Sequence, residues 1–252
     1  MKISRFCIFY ADRGSLYIEV GIFIAMFFYI CLNIISILMA DNYLEKKFEE
    51  FHSAKAGGTK HKAVNGNLSL NSLLLKNRSY RGFDPSREVS MDELKQIVEV
   101  CTKVPSGKNQ QVLRFKLVAG EDTPRLQKYT KWGAALPELN LPFPGTEPPA
   151  FIIICSTEAE NKWVDIDLGI AAQSMLLKAV EMGLNGICIG AFNKGEVIKE
   201  FDLKYEPVLL LAIGKGAENI QLTRIKDGDP KAYYRKDGVH FVPKLGLDDL
   251  IL

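Results

Sequence analysis

Residues 165–190 read DIDLGIAAQSMLLKAVEMGLNGICIG. Asp165 to Met182 has the composition of a helix but is apolar on nearly every side. Such a helix belongs inside a core or at a subunit interface. Asp165 and Asp167 sit at its start, where negative charge favours the helix dipole. Gly183 and Gly186 supply the stop. Gly186 to Gly190, GICIG, then reads as a short strand ending in glycine.

The flanking segments supply partners for this helix–strand pair. Ala150 to Ser156, AFIIICS, is rich in β-branched residues and reads as a buried strand. Val208 to Ile213, VLLLAI, reads as another, closed by Gly214-Lys215-Gly216. Arg114 to Ala119, RFKLVA, alternates like a half-buried strand. Asn67 or Ser69 can cap a short helix ending near Lys76. Ser90-Met91-Asp92-Glu93 is a capping box, in which serine and glutamate each satisfy an orphan amide. Leu94, Ile97, Val98 and Cys101 follow it at the spacing of one helix face, and Pro105 closes that helix. Thr123-Pro124 opens another, with proline at its first position. The tail from Glu218 to Leu252 reads as polar and irregular. Helices and strands alternate irregularly, which implies an α+β or α/β sandwich around a central sheet. No G-x-G-x-x-G follows a strand and no G-x-x-x-x-G-K-[ST] occurs, so Rossmann and P-loop phosphate sites are not indicated.

The 252 residues balance 32 Lys and Arg against 30 Asp and Glu, a net charge of +2. That argues against nucleic-acid binding, which calls for a concentrated basic surplus. The five cysteines, Cys7, Cys31, Cys101, Cys155 and Cys188, form no C-x-x-C pair, and the three histidines, His52, His61 and His240, form no H-x-x-x-H pair. Buried free thiols in a reducing compartment are therefore expected, with no metal centre.

Residues 1–38 are an apolar leader. Leu16 to Leu38 holds one acid, Glu19, and is long enough to span a bilayer. Three readings stay open: a membrane anchor, a signal peptide, or a leader upstream of a true start at Met39. As an anchor, Lys2, Arg5 and Arg13 on its N-terminal flank favour a cytoplasmic N-terminus. Cleavage after Ala40 would put Leu38 where a small residue is preferred. Met39 begins MADNYLEKKFEEF, with Leu44, Phe48 and Phe51 spaced for one helix face. Residues 39–66 thus form an N-terminal helix and a linker, AKAGGTKHKAVNG.

Four stretches carry candidate chemistry. Arg78, Ser79 and Arg81, in KNRSYRGF (residues 76–83), could converge on an anion, since arginine offers a planar fork and serine a hydroxyl. Ser106, Lys108, Asn109 and Gln111, in PSGKNQQ (105–111), could present amides to a heterocycle's edge. Ile189 and Gly190, at the end of GICIG, could let a flat ligand approach the backbone. Arg235, in KAYYR, is a late basic residue able to reach the same anion, with Lys215 behind it. Each stretch alone also reads as an ordinary solvated end, loop, strand terminus or basic turn.

Their order is more informative. Arg-Ser-x-Arg, then Pro-Ser-Gly-x-Asn-x-Gln before a strand, PFPGTEPPA before AFIIICS, the apolar helix into GLNGICIGAF, and a basic tail together resemble the nitroreductase family of FMN-dependent oxidoreductases over roughly Leu68 to Leu252. The resemblance implies an α+β sandwich with a central mixed sheet flanked by helices, and a homodimer with two FMN sites at its interface. It makes residues 67–252 the FMN-binding domain. It assigns Arg78, Ser79 and Arg81 to the FMN phosphate and ribitol. It points Ser106, Lys108, Asn109 and Gln111 at flavin or substrate, with the partner subunit as one source. Backbone N–H groups at Ile189 and Gly190 would lie near the reactive flavin nitrogen, with Arg235 and Lys215 toward the phosphate.

The implied activity is ping-pong reduction of nitroaromatics, quinones or similar small acceptors by NAD(P)H, in the cytoplasm unless residues 16–38 anchor the chain. No protein side chain would act as nucleophile or dedicated base, since the hydride chemistry belongs to FMN. The alternatives are a flavin- or nucleotide-binding sensor without turnover, and reductive dehalogenation on the same fold. Two departures stand out. The family's loop often continues Gln-Pro-Trp, where this chain has Gln111-Val112-Leu113. Many members also carry a basic residue at the position of Asn77.

Overall fold

In a computed structural model of the protein, residues 68–133 and 141–252 are described; they belong to the unit Ala63–Leu252. The expectations for residues 1–66 lie outside the described residues. The elements are α1 (Leu70–Lys76), α2 (Met91–Glu99), β1 (Leu113–Ala119), α3 (Asp122–Gln127), β2 (Ala150–Ser156), α4 (Lys162–Glu181), β3 (Asn185–Ile189), α5 (Lys194–Phe201), β4 (Glu206–Gly214), β5 (Asn219–Ile225), β6 (Tyr234–Lys236) and β7 (Val239–Leu245).

β2 organises the core. Every residue of β2 is buried, and it pairs with β1 on one side and β4 on the other. Alternate side chains of a strand point to opposite faces. Ala150, Ile152 and Ile154 pack with Leu94 and Ile97 of α2 and with Ala171, Met175 and Ala179 of α4. Phe151, Ile153 and Cys155 face Leu126 of α3 and Val197 and Phe201 of α5. The result is a helix–sheet–helix sandwich. Its four-stranded sheet has the order β1-β2-β4-β3, and all its pairings are antiparallel. The four strands are antiparallel, and a parallel bridge from Ser79 meets the β3 edge at Gly186, as a mixed sheet allows. Among the described residues, other parallel pairing lies in a separate small sheet.

That small sheet corrects one expectation. The tail is not irregular: β5 pairs in parallel with β7, and β6 pairs antiparallel with β7, giving the order β5-β7-β6. β5 and β6 are exposed or half-buried along their length, so they carry no hydrophobic run to announce them.

α4 begins three residues earlier than the apolar pattern indicates. Asn161 caps it, its side chain accepting hydrogen bonds from the Trp163 and Val164 amides at 2.9 and 3.3 Å. Its end is a Schellman motif: Leu184 N–H donates to the Ala179 carbonyl at 2.8 Å and Gly183 N–H to Val180 at 3.0 Å. Gly183, at φ +79°, takes the left-handed position that the motif requires. One face of α4 is buried, while Trp163 and Ile166 on the other are exposed.

The capping box forms as read, with Glu93 N–H donating to Ser90 Oγ at 3.2 Å and Ser90 N–H to the Glu93 carboxylate at 2.9 Å. α3 starts at Asp122, so Pro124 is its third residue, still within the turn where its missing N–H costs nothing. Among the described residues, no helix is long and apolar enough to cross a membrane.

Candidate functional site

The site grows from the exit of α1. Ser69 caps that helix by accepting from Ser72 N–H at 3.2 Å, and the chain leaves it at Asn77. Ser79 then meets the edge of the main sheet through a parallel bridge to Gly186, and Tyr80 N–H donates to the Gly186 carbonyl at 3.3 Å. A side chain at Gly186 would not fit. Its Cβ would lie 2.6 Å from the Ala212 carbonyl oxygen and 2.7 Å from Leu176 Cδ2. The glycine read as a helix stop is thus what lets β3 lie close against β4 and α4, at the point where Ser79 bridges to it. Gly216 has a related role, since a Cβ there would overlap the Tyr80 ring.

Arg78, Ser79 and Arg81 line one cavity of about 300 Å³. Its walls also include Gln173 of α4, Cys188 of β3, Tyr233 just before β6, and His240 and Lys244 of β7. The Arg78 guanidinium donates from Nη2 to the Leu74 carbonyl at 2.7 Å, so its head is fixed over the last turn of α1. Its Nε is buried and has no hydrogen-bond partner. Burial lowers its pKa from the usual guanidinium value, partly opposed by Tyr80. Arg81 Nη1 donates to the Ser79 carbonyl at 3.2 Å, and its guanidinium lies 5.2 Å from the centre of the Tyr233 ring.

Glu218 joins this loop to the C-terminal sheet. Its carboxylate accepts hydrogen bonds from the backbone N–H of Arg81 and from that of Gly82 at 3.2 Å, and it pairs with the Arg235 guanidinium. Arg235 is in turn the cross-strand partner of His240. Arg235 Nε and His240 Nδ1 are buried without partners, like Arg78 Nε. An unpaired buried polar nitrogen is costly. Arg78 and His240 line the cavity, whereas Arg235 does not line it and is held behind His240 by Glu218.

Lys215 lies elsewhere. It pairs with Asp84 at 3.2 Å and does not line the cavity. Asp84 is 2 % exposed. Burial raises its pKa, but hydrogen bonds from the Ser86 hydroxyl (2.7 Å) and amide (2.9 Å) and from Lys215 outweigh that, holding the carboxyl below its usual value.

The PSGKNQQ loop forms a second, separate region. Gly107 N–H donates to the buried Asp167 carboxylate at 2.8 Å, tying the loop to the first turns of α4. Gln111 N–H donates to Ser106 Oγ at 3.0 Å, and the Gln111 amide to Asn109 Oδ1 at 3.2 Å. Lys108, Asn109 and Gln111 all take positive φ, at 52°, 54° and 51°. Only asparagine tolerates that region readily, so the loop stores strain of the kind found at functional sites. Ser106 and Gln111 line a cavity of about 290 Å³ with Cys101, Arg114 and Asp167. Where the family often has proline, Val112 is buried.

The two cavities share no lining residue. Both touch α4, one at Gln173 and the other at Asp167. Six helical residues separate these by about 9 Å along the axis and about 120° around it. Ile189 is buried at the end of β3, Gly190 is exposed, and neither lines either cavity. Beyond them, Lys131 N–H donates to the Ala191 carbonyl at 2.8 Å.

Cys188 departs from expectation, because it is exposed at the first cavity rather than buried. Cys101 and Cys155 are pushed up to about 11 by burial, so both remain thiols. Glu218, Tyr233, His240 and Gln173 were not singled out from the sequence. Each is a lone residue without a motif, placed by the small sheet or by α4.

The described residues form an α+β sandwich with a cavity beside α1 lined by Arg78, Ser79 and Arg81. The chain belongs to the Nitroreductase family, whose sequence pattern matches residues 74–215. A Bacillus subtilis (strain 168) protein with the provisional name NAD(P)H nitroreductase YdgI is 25% identical over 178 residues, covering 56% of this chain and 85% of that one. A mutant of the FMN and NADPH-dependent nitroreductase NfnB from Sphigopyxis sp. strain HMH superposes with a TM-score of 0.54 at 21% identity, covering 73% of this chain and 98% of that one. A provisionally named nitroreductase from Exiguobacterium sibiricum 255-15, solved in complex with FMN, superposes with a TM-score of 0.50 at 21% identity, covering 61% and 91%.

Proposed function

We propose that this protein is an FMN-dependent oxidoreductase that uses NAD(P)H to reduce nitroaromatics, quinones or similar acceptors by a ping-pong mechanism. The observation that carries the reading is the cavity at Arg78, Ser79 and Arg81, where buried guanidinium and imidazole nitrogens lack partners in the protein. A phosphate monoester supplies the missing acceptors. Arg78 and Arg81 would hold that phosphate, with Ser79 donating its hydroxyl. Arg235, anchored by Glu218, would add positive charge behind them. FMN, when bound, supplies the hydride chemistry, and the protein supplies orientation and electrostatics.

The same reading makes the protein a homodimer. The PSGKNQQ loop and the basic cavity face different sides of α4, so a loop from a partner copy would complete each flavin site. Ser106, Lys108, Asn109 and Gln111 would then face the ring system held by the other subunit. Ile189 and Gly190 would offer backbone N–H groups beside it. The exposed Trp163 and Ile166 on α4, and Leu247, Leu250 and Ile251 at the C-terminus, leave apolar surface for such a partner. The acceptor and NAD(P)H would take turns in the slot above the flavin. A reducing, nucleotide-rich compartment suits this chemistry, so the cytoplasmic placement belongs to the proposal.

The test is purification of the full chain and of its Arg78→Gln/Arg81→Gln variant. The wild type should purify yellow, release FMN on denaturation, sediment as a dimer and oxidise NADH or NADPH when benzoquinone is added. Each lost charge-assisted contact is worth about 1.5–3 kcal/mol, so the double variant should lose at least about 100-fold in FMN affinity. A double variant that keeps wild-type FMN affinity would place the socket elsewhere.

A further inference from the structure

His240 is the one histidine among the described residues, and it is 3 % exposed. It sits on β7, the central strand of the small sheet, between Ile220 of β5 and Arg235 of β6. It lines the basic cavity, and its Nδ1 has no hydrogen-bond partner. The Tyr233 ring packs against it at 5.1 Å.

The charged and titratable groups around it come from every packed element. Arg78 and Arg81 come from the segment after α1, Arg235 from β6 and Lys244 from its own strand. Tyr233 lies next to β6, and Cys188 on β3. The only acid among these neighbours is Glu218, which is already shared between Arg235 and the loop amides. Burial beside the Arg235 and Arg81 guanidinium groups disfavours a second proton on this histidine. A dianion entering the cavity reverses that balance.

We propose that His240 is a phosphate-facing positioning residue that takes up one proton from solvent as the flavin's phosphate enters the cavity. The proposal rests on the FMN reading above. Without ligand, burial first, then Arg235 and Arg81, lower its pKa to about 4, so the imidazole is neutral near pH 7. One negative charge about 4 Å away, at the effective dielectric of a protein surface, moves such a midpoint up by about 3 pH units. That brings it to the neutral range. The proton comes from water, ends on the imidazole, and no bond of the flavin changes. Because the midpoint rises on binding, FMN affinity gains as pH falls, by up to about tenfold per pH unit between the free and bound values. The small C-terminal sheet would thereby make cofactor retention pH-dependent.

Asparagine at this position can donate from the place of Nδ1 but cannot titrate. The test compares the full-length wild type with His240→Asn and His240→Gln. FMN binding is followed by calorimetry in buffers of different ionisation enthalpy, with riboflavin, which lacks the phosphate, as control. The wild type should take up about half a proton more per FMN than His240→Asn at pH 7, and close to one more at pH 6. Riboflavin should show no such difference. The ratio of the variant's Kd to the wild type's should grow as pH falls from 8 to 6. Equal proton uptake, or a constant Kd ratio, overturns the proposal and leaves the FMN reading intact. Failure of the wild type to bind FMN removes both. If neither variant folds, the wild-type His240 imidazole NMR signals decide alone. They should pass to the protonated form on FMN addition near pH 6.5, and an imidazole that stays neutral overturns the proposal.

Discussion

Replacing Gly186 by alanine tests how the fold holds the site. The added Cβ would lie 2.6 Å from the Ala212 carbonyl oxygen, 2.7 Å from Leu176 Cδ2 and 3.1 Å from Ile213 Cδ1. An ordinary carbon–oxygen contact needs about 3.3 Å, so the backbone contact falls short by about 0.7 Å. Leu176 can turn aside, but Ala212 belongs to β4, which is paired on both sides. The strand pair β3–β4 must therefore open. Overpacking of this kind costs about 1–3 kcal/mol. For a chain of this size that lowers Tm by about 2–12 °C. Since Ser79 bridges to Gly186, the same shift moves the Arg78–Arg81 segment, and FMN affinity falls with stability. The control is Gly190→Ala, where nothing lies within 4 Å of the added atom, and stability should stay within about 0.5 kcal/mol. Thermal unfolding by circular dichroism, with FMN titration of each variant, reads both effects. Equal melting points for Gly186→Ala and wild type would refute the packing argument.

Two further outcomes follow from the charges near the site. Glu218→Gln should weaken the joint between the Arg81–Gly82 amides and Arg235, costing about 1–3 kcal/mol and raising the FMN Kd; unchanged unfolding in urea would count against it. Asp84 has a folded pKa below its ordinary 3.8, so the stability it contributes is present above that value and is lost as pH falls through the folded one. Asp84→Asn should therefore be less stable than wild type at pH 7, with the gap closing in that acid range. A gap that does not change with pH would contradict this assignment.

The sequence by itself determined the parts set by short-range physics. Ser90 and Glu93 lie three apart and cap each other whatever surrounds them. The β-branched run of Ala150–Ser156 had to be buried on both faces, and Gly183 had to end α4. Arg78, Ser79 and Arg81 were legible as a cluster because they are neighbours in the chain.

Tertiary structure decided what depends on distant pairing. The tail looked irregular because β5 and β6 are exposed or half-buried along their length, and β5 finds its parallel partner β7 only across an intervening strand. His240 became part of the cavity through that pairing, and Glu218 came to tie the Arg81–Gly82 amides to Arg235. The direction of each strand was decided by how the connections return, which composition does not encode. Lys215 reads like any basic residue near a glycine turn, and only the buried carboxylate of Asp84 directed it away from the cavity. Local sequence therefore fixed the donors beside α1, while non-local pairing chose the groups that surround them, because burial and electrostatics act through space and not along the chain.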